Sequence, residues 1–271
     1  MDLQTIVKNA IDEDLPCGDL TTDNLALNDK TGRAKLLAKE DLVLSGVEAF
    51  TLTFQQIDPD IQLNWQFTNG QFILKGQTLC ALKGPLSSLL KGERVALNFL
   101  GHLSGVATLT RCYVDQIKHT KAKILDTRKT TPGLRQLEKQ AVVHGGGFNH
   151  RLNLSEAILI KENHIRAVGS LKEAVLKLKK KRKDFIEVEV RNIEEVSAAL
   201  ECRADRLLLD NMSDTEMSEA LKLIPTGVET EASGNITIDR AQRVAELGVN
   251  FISVGALTHS APCVDLSMLF E

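Results

Sequence analysis

A chain of 271 residues exceeds the usual single compact domain, so one large α/β barrel or two domains are its natural organisations. Hydrophobic residues at 43% suffice for a sizeable core, whereas 33 basic against 36 acidic side chains, one Trp and one Tyr argue against general polyanion binding and base stacking. Five cysteines at 17, 80, 112, 202 and 263 form no C-x-x-C pair and fit reduced thiols better than a disulfide framework or zinc site. The first 25 residues carry Asp2, Glu13, Asp14 and Asp19 without an uninterrupted apolar run, so neither a signal peptide nor a membrane span is expected. The expectation is a soluble cytoplasmic protein that binds neither nucleic acid nor membrane.

Leu3, Ile6, Val7, Ala10 and Ile11 recur at helical spacing, and that helix should end before Pro16 and Gly18, with CGDLTT as turn material. Short β-like segments follow at Ala34–Ala38, Leu42–Leu44, Ile61–Phe67 and Thr78–Leu82, with a helix near Val47–Phe54, which reads as a small α+β layer. A long amphipathic pattern starts at Leu86 and runs towards Ile117, with a break expected near Gly101–Gly105. There Gly105 serves as a hinge or a close-packing point.

After Lys121 strand and helix alternate. Strands are expected at 123–126, 157–161, 185–190, 206–210, 227–233 and 251–256, with helices near 133–144, 170–182, 193–201, 213–223 and 237–247. Repeated βα units imply a parallel sheet, as a barrel or a doubly wound sheet. The basic run Lys177–Lys183 reads as a solvated helix C-terminus favoured by the helix dipole.

Parallel strands covered on both faces should be apolar throughout, and these are not. Asp126, Lys161 and Asp210 close their strands, Glu187 and Glu189 interrupt the third, and Glu229 and Glu231 lie in the fifth. Charges gathered at the C-terminal ends of barrel strands converge on one mouth, where barrel enzymes place their chemistry. Ser233-Gly234-Asn235 before Thr237, and Val254-Gly255-Ala256 after the last strand, could hold a phosphate on backbone N–H groups, although such a signal alone is more often an ordinary turn. Gly145-Gly146-Gly147 allows close backbone approach or simply caps a helix. Arg128-Lys129 pairs a group suited to carboxylate with one suited to phosphate, and His150-Arg151 repeats the theme. Arg94 lies on the polar side of the long helix.

The run Asp126-Thr127-Arg128-Lys129-Thr130-Thr131-Pro132-Gly133-Leu134-Arg135, the Gly-Gly-x-x-x-His-Arg at 145–151 and Lys161-Glu162-Asn163-His164 resemble the signature of quinolinate phosphoribosyltransferases. GDLTT at 18–22, GERVALNFLGHLSGVAT at 92–108, IEVEV, LLLDN, EASGN and SVGALTHS extend the resemblance over almost the whole chain. Glu162, where many relatives have Asp, is a conservative departure.

The resemblance implies an α/β fold with an N-terminal α/β sandwich domain (1–108) and an incomplete, seven-stranded α/β barrel (109–263), the tail 264–271 packing back on the first domain. It implies a homodimer with Arg94 reaching into the neighbouring site, and Mg²⁺ as cofactor. The implied substrates are quinolinate and 5-phosphoribosyl-1-pyrophosphate, giving nicotinate mononucleotide, pyrophosphate and CO₂ in NAD synthesis. Arg128, His150 and Arg151 would hold the quinolinate carboxylates, and Thr127 is counted with them. Lys129 and Lys161 would meet the donor's phosphates, with Lys161 also near quinolinate. Glu189 and Asp210 would face ribose and Mg²⁺, directly or through water, and Ser233-Gly234-Asn235 with Ser253-Val254-Gly255 would cradle the 5′-phosphate. Lys129, Lys161, Glu189 and Asp210 are thus the implied catalytic set.

The rival readings are a ModD-like homologue or a transferase for another pyridine acid, a Schiff-base aldolase using Lys161, and a non-catalytic phosphate-binding protein.

Overall fold

The structure, a computed structural model, describes residues 2–25, 27, 30–181 and 185–271. It opens with α1 (Leu3–Asp14), α2 (Leu20–Asn24), β1 (Thr31–Ala38), β2 (Leu42–Val43), α3 (Val47–Ile57), β3 (Gln62–Trp65), β4 (Phe72–Ile73) and β5 (Thr78–Pro85). A long helix α4 (Leu86–Ile117) leads to β6 (Lys123–Leu125), α5 (Arg135–His144), β7 (Ile158–Ile160), α6 (Glu162–Val168), α7 (Leu171–Lys181) and β8 (Ile186–Val190). Then come α8 (Ile193–Glu201), β9 (Arg206–Asp210), α9 (Asp214–Leu223), β10 (Glu229–Ser233), α10 (Ile238–Glu246), β11 (Phe251–Ser253), α11 (Ala256–His259) and β12 (Leu266–Phe270). Residues 182 and 183 of the basic run lie outside the described residues.

Two compact units result, and they interleave in the chain: Met1–Arg111, Thr130–Gly146 and Leu257–Glu271 form the first, Cys112–Lys129 and Gly147–Ala256 the second. In the first, an antiparallel sheet of order β12-β1-β5-β3 packs a core that includes Leu36, Phe50, Phe54, Leu79, Leu89 and Leu100. Phe50 anchors it, with Phe54 and Trp65 each 5.2 Å away between ring centroids. The CGDLTT segment is not only a turn: Asp19 caps α2 by accepting the N–H groups of Thr21 (2.9 Å) and Thr22 (3.1 Å). The expected break near Gly101–Gly105 is absent, and α4 runs through it.

Gly105 is instead a close-packing point, because a Cβ there would lie 2.0 Å from the carbonyl oxygen of Pro262. Alanine gains about 1 kcal/mol over glycine in a helix, but overpacking against backbone costs about 1–3 kcal/mol and a clash this deep sits at the upper end. Gly105→Ala is therefore expected to lower the thermal midpoint by roughly 2–6 °C. A midpoint at or above that of the parent would mean that the 262–263 segment yields freely.

The second unit is a parallel sheet of order β6-β11-β10-β9-β8-β7. From β7 to β11 each strand lies beside its successor in the chain, and the last pairs with the first, β11 with β6. Among the described residues only the β6–β7 pairing is missing, so the sheet is a ring open at one seam, the incomplete α/β barrel that the resemblance implies. Its strands number six among the described residues rather than seven. At the seam stands a one-residue bridge, in which Phe148 donates to Ile124 O (2.8 Å) and Asp126 N–H donates to Phe148 O (3.1 Å). The bridge stops there because His150 N–H turns to the Asp126 carboxylate, 2.9 Å away, instead of continuing the ladder.

Parallel register then sets which side chains share a level on one face of the sheet. Glu187, Arg206 and Glu229 form the lowest level, Glu189, Leu208 and Glu231 the next, and Asp210, Ser233 and Ser253 the C-terminal rim. The alternate positions Val188, Val190, Leu207, Leu209 and Ala232 are fully buried and apolar. One face is thus core and the other chemistry, so the strands lack the uniform apolar character of a parallel sheet buried in hydrocarbon on both sides.

Candidate active site

All six strands being parallel, their C-terminal ends lie at one end of the ring. There Lys161, directly after β7, places Nζ 2.7 Å from Glu189 Oε2 on β8. Lys161 is set by the motif that follows it, since its N–H donates to His164 Nδ1 at 3.0 Å across the first turn of α6. Asp210 closes β9. Burial, then the charge of Glu189, raises its carboxyl above the usual range, while Lys161 and Lys129 pull the other way. Two carboxylates and two ammonium groups therefore form one electrostatic unit.

Thr127 Oγ1 accepts the Lys129 N–H at 3.0 Å, a side-chain turn that fixes the chain leaving β6. Arg151 is partly buried; burial lowers its pKa and the nearby positive charge of Arg128 lowers it further, with Glu187 opposing. Two guanidiniums are held together against their own repulsion, an arrangement relieved by an anion that meets both.

The Asp210 rim is tied to the following loop by Asn211. Its Nδ2 donates to Asp210 Oδ2 (2.9 Å), its Oδ1 accepts from Asn235 Nδ2 (3.1 Å), and its N–H donates to Ser233 O (2.9 Å). Asn211 and Asn235 both sit at positive φ, 57° and 51°, strain that these mutual contacts offset. Gly234, at φ 93°, has no room for a side chain, because a Cβ would lie 2.1 Å from Asn211 Oδ1. Arg240 on α10 donates to Gly234 O at 3.0 Å and braces the same loop. This turn was visible in the sequence as Ser-Gly-Asn. Asn211 and Arg240 were not singled out, since their part lies in hydrogen bonds that bridge separate segments.

The second suggested cradle is altered by the structure. Val254 N–H is committed to the strand ladder, donating to Leu125 O at 2.9 Å, and Ser253 is buried with its hydroxyl 3.5 Å from Ala232 O. Neither group is presented as a phosphate donor. Arg94 is exposed on α4 within the first unit.

Below the rim lies a buried polar layer. His150 Nε2 is 3.2 Å from Glu187 Oε2 and 3.5 Å from Glu231 Oε1, and Arg206 reaches Glu231 (3.4 Å) and Glu229 (2.9 Å). Burial and the charge of Glu187 push the Glu231 carboxyl up to about 7. The ligand atoms of His150, Glu187 and Glu231 lie within 4.8 Å of one another, a spacing that a metal ion could span.

Family comparison matches residues 19–104 to the quinolinate phosphoribosyl transferase N-terminal domain and residues 106–269 to the corresponding C-terminal domain. The chain belongs to the quinolinate phosphoribosyltransferase family. Among relatives, the probable nicotinate-nucleotide pyrophosphorylase [carboxylating] of Bacillus subtilis is 39% identical over 270 residues, covering 99% of this chain and 93% of that protein. The nicotinate-nucleotide pyrophosphorylase structure from Ehrlichia chaffeensis superposes with a TM-score of 0.97 at 36% identity, over 100% of this chain and 99% of its own. That from Francisella tularensis gives 0.93 at 39% identity, over 99% and 96%. The α/β fold and the phosphoribosyltransferase class of this family member are thereby shown. Among the described residues no helix is long and apolar enough to cross a membrane, and the five cysteines are free.

Proposed function

We propose that this chain joins quinolinate, pyridine-2,3-dicarboxylate, to 5-phosphoribosyl-1-pyrophosphate, releasing pyrophosphate and CO₂ and forming nicotinate mononucleotide for NAD synthesis in the cytoplasm. Family membership carries the reaction. Within the site, the substrate assignment is supported by the Arg128–Arg151 pair, in which the charge of Arg128 adds to the lowering that burial imposes on Arg151, and by the Lys161–Glu189 ion pair at the strand ends.

The reaction needs positioning and charge more than covalent help. The pyridine nitrogen supplies the electron pair that forms the bond to the ribose anomeric carbon as the bond to pyrophosphate breaks. Arg128 and Arg151, with His150 beside them, take the dicarboxylate; Lys129 and Lys161 take the donor's phosphates, and Ser233-Gly234-Asn235 receives the 5′-phosphate. Holding both anions in line supplies several kcal/mol of the barrier reduction. Glu189 and Asp210 face the positive charge that develops on the ribose. The ring nitrogen, now cationic, stabilises the electron pair left on the adjacent ring carbon when its carboxylate departs as CO₂, and a proton then takes up that pair at the carbon.

Glu189 and Asp210 are hard oxygen donors, and the Asp210 carboxyl is raised by burial first and by the charge of Glu189 second, the latter a repulsion that a cation would relieve, so the pair fits Mg²⁺. When bound, the ion neutralises the departing pyrophosphate. Incubating the protein with both substrates and Mg²⁺ and identifying nicotinate mononucleotide by mass tests this reading; absence of the product would remove it.

The proposal includes a homodimer in which Arg94 serves the neighbouring site. Arg94→Ala and Lys129→Ala, each inactive, are then expected to recover partial activity when mixed, through hybrid dimers with one intact site. No recovery after demonstrated subunit exchange would refute the shared site.

A further inference from the structure

We infer that Arg240 is a positioning residue for the donor's 5′-phosphate. From α10 its guanidinium holds carbonyl oxygens of the Ser233-Gly234-Asn235 turn and of the loop after Asp210, so that the turn presents its N–H groups at a fixed offset from that carboxylate. This rests on the proposed function, and it adds a residue that acts on the donor's site through the main chain rather than by contact.

The clamp is built on three carbonyl groups from two loops. Nη1 donates to Gly234 O at 3.0 Å and to Asn235 O at 3.4 Å, and Nη2 donates to Met212 O at 2.5 Å. A guanidinium suits this arrangement because it is planar and carries its donors in a rigid fork, whereas an ammonium is a compact point charge on a flexible stem. The fork is itself aimed: Nε donates to Asp214 Oδ1 at 3.2 Å, and Arg243 Nε holds the other oxygen of that carboxylate at 3.1 Å. The Arg240 side chain is only 17% exposed.

Peptide geometry gives these contacts their consequence. In a trans peptide the N–H points opposite to the C=O, so the N–H groups of Asn235 and Ile236 face away from Arg240. Neither donates to another group among the described residues, in contrast to Val254, whose N–H is committed to Leu125 O. The turn's shape has a cost, since Asn235 is a non-glycine residue at φ 51°. The contact with Met212 carries the effect across, because Met212 lies two residues after Asp210 on the neighbouring loop. Asn211 joins the two loops from the Asp210 side, and Arg240 joins them from the helix side. The rival role for Arg240 is a direct contact between its charge and the phosphate, and the two roles predict different results.

Ribose 5-phosphate, which carries the 5′-phosphate and the ribose without the pyrophosphate, is the probe, and calorimetry reads its dissociation constant. Arg240→Lys keeps the charge and loses the fork. Binding of the probe is expected to weaken about tenfold, the loss that goes with one charge-assisted hydrogen bond, while binding of pyridine-2,3-dicarboxylate stays within about twofold. Arg240→Gln is expected to match Arg240→Lys within about twofold, since the fork is lost in both. Unchanged probe binding in Arg240→Lys, or equal weakening of both ligands, would overturn the inference. A larger loss in Arg240→Gln than in Arg240→Lys would overturn it too, by assigning a direct charge contact. Asp214→Asn leaves the guanidinium but loosens its aim, and about threefold weaker probe binding is expected. This variant keeps the test open should Arg240→Lys not fold, and unchanged binding in it counts against the inference equally. In steady state the same split is expected as a donor KM about tenfold higher at unchanged quinolinate KM. Probe binding needs no turnover, so an inactive parent would defeat the proposed function and leave this test standing, whereas a parent that binds no ribose 5-phosphate would overturn the inference.

Discussion

Lys161→Ala is expected to yield a folded protein whose kcat falls about 10²–10³-fold, the loss typical of removing one preorganised charge at a reacting centre. Lys161 starts α6 at the open rim with its side chain 47% exposed, so the scaffold has little stake in it. Its partner Glu189 has a side chain only 12% exposed and would lose the ammonium that now lies 2.7 Å away. Part of the loss would therefore come from a misplaced carboxylate. The double variant with Glu189→Gln should lose less than the two single effects combined, because the residues form one contact. Near-parental kcat in Lys161→Ala, measured with both substrates saturating, would remove this lysine from the mechanism.

Asp210→Asn is the second large effect, also about 10²–10³-fold in kcat. The change keeps the shape of the side chain while removing the charge proposed to face the ribose. The Asn211 amide now donates to Asp210 Oδ2, so an asparagine at 210 can retain that strut by presenting its oxygen. Thermal stability should hold or rise slightly, since burial and Glu189 already disfavour the charge. A large kcat loss with an unchanged melting midpoint is the expected signature. Equal loss in both would assign Asp210 to the scaffold instead.

Much of this architecture was legible in the chain. The six parallel strands fall within about three residues of their expected ends, because runs such as Leu207–Leu209 are long enough to announce themselves. Charges interrupting those runs marked the site, since Glu189 and Asp210 have no place in a wholly apolar strand. Elements fixed by distant partners were hidden. β12 pairs with β1, more than 220 residues earlier, and β4 has two residues paired with β2, so neither carries a local signal. The seventh strand implied by resemblance reduces to one bridge at Phe148, because hydrogen bonding at Asp126 and His150 ends the ladder. Val254 looked like a phosphate donor until its N–H was found spent on Leu125.

Release of CO₂ and pyrophosphate by the purified protein tests the account most directly, measured with carboxyl-labelled quinolinate in the presence and absence of 5-phosphoribosyl-1-pyrophosphate. The account predicts equal amounts of both products, formed only when both substrates are present. Release of CO₂ from quinolinate alone, or of neither product from the complete mixture, would contradict it.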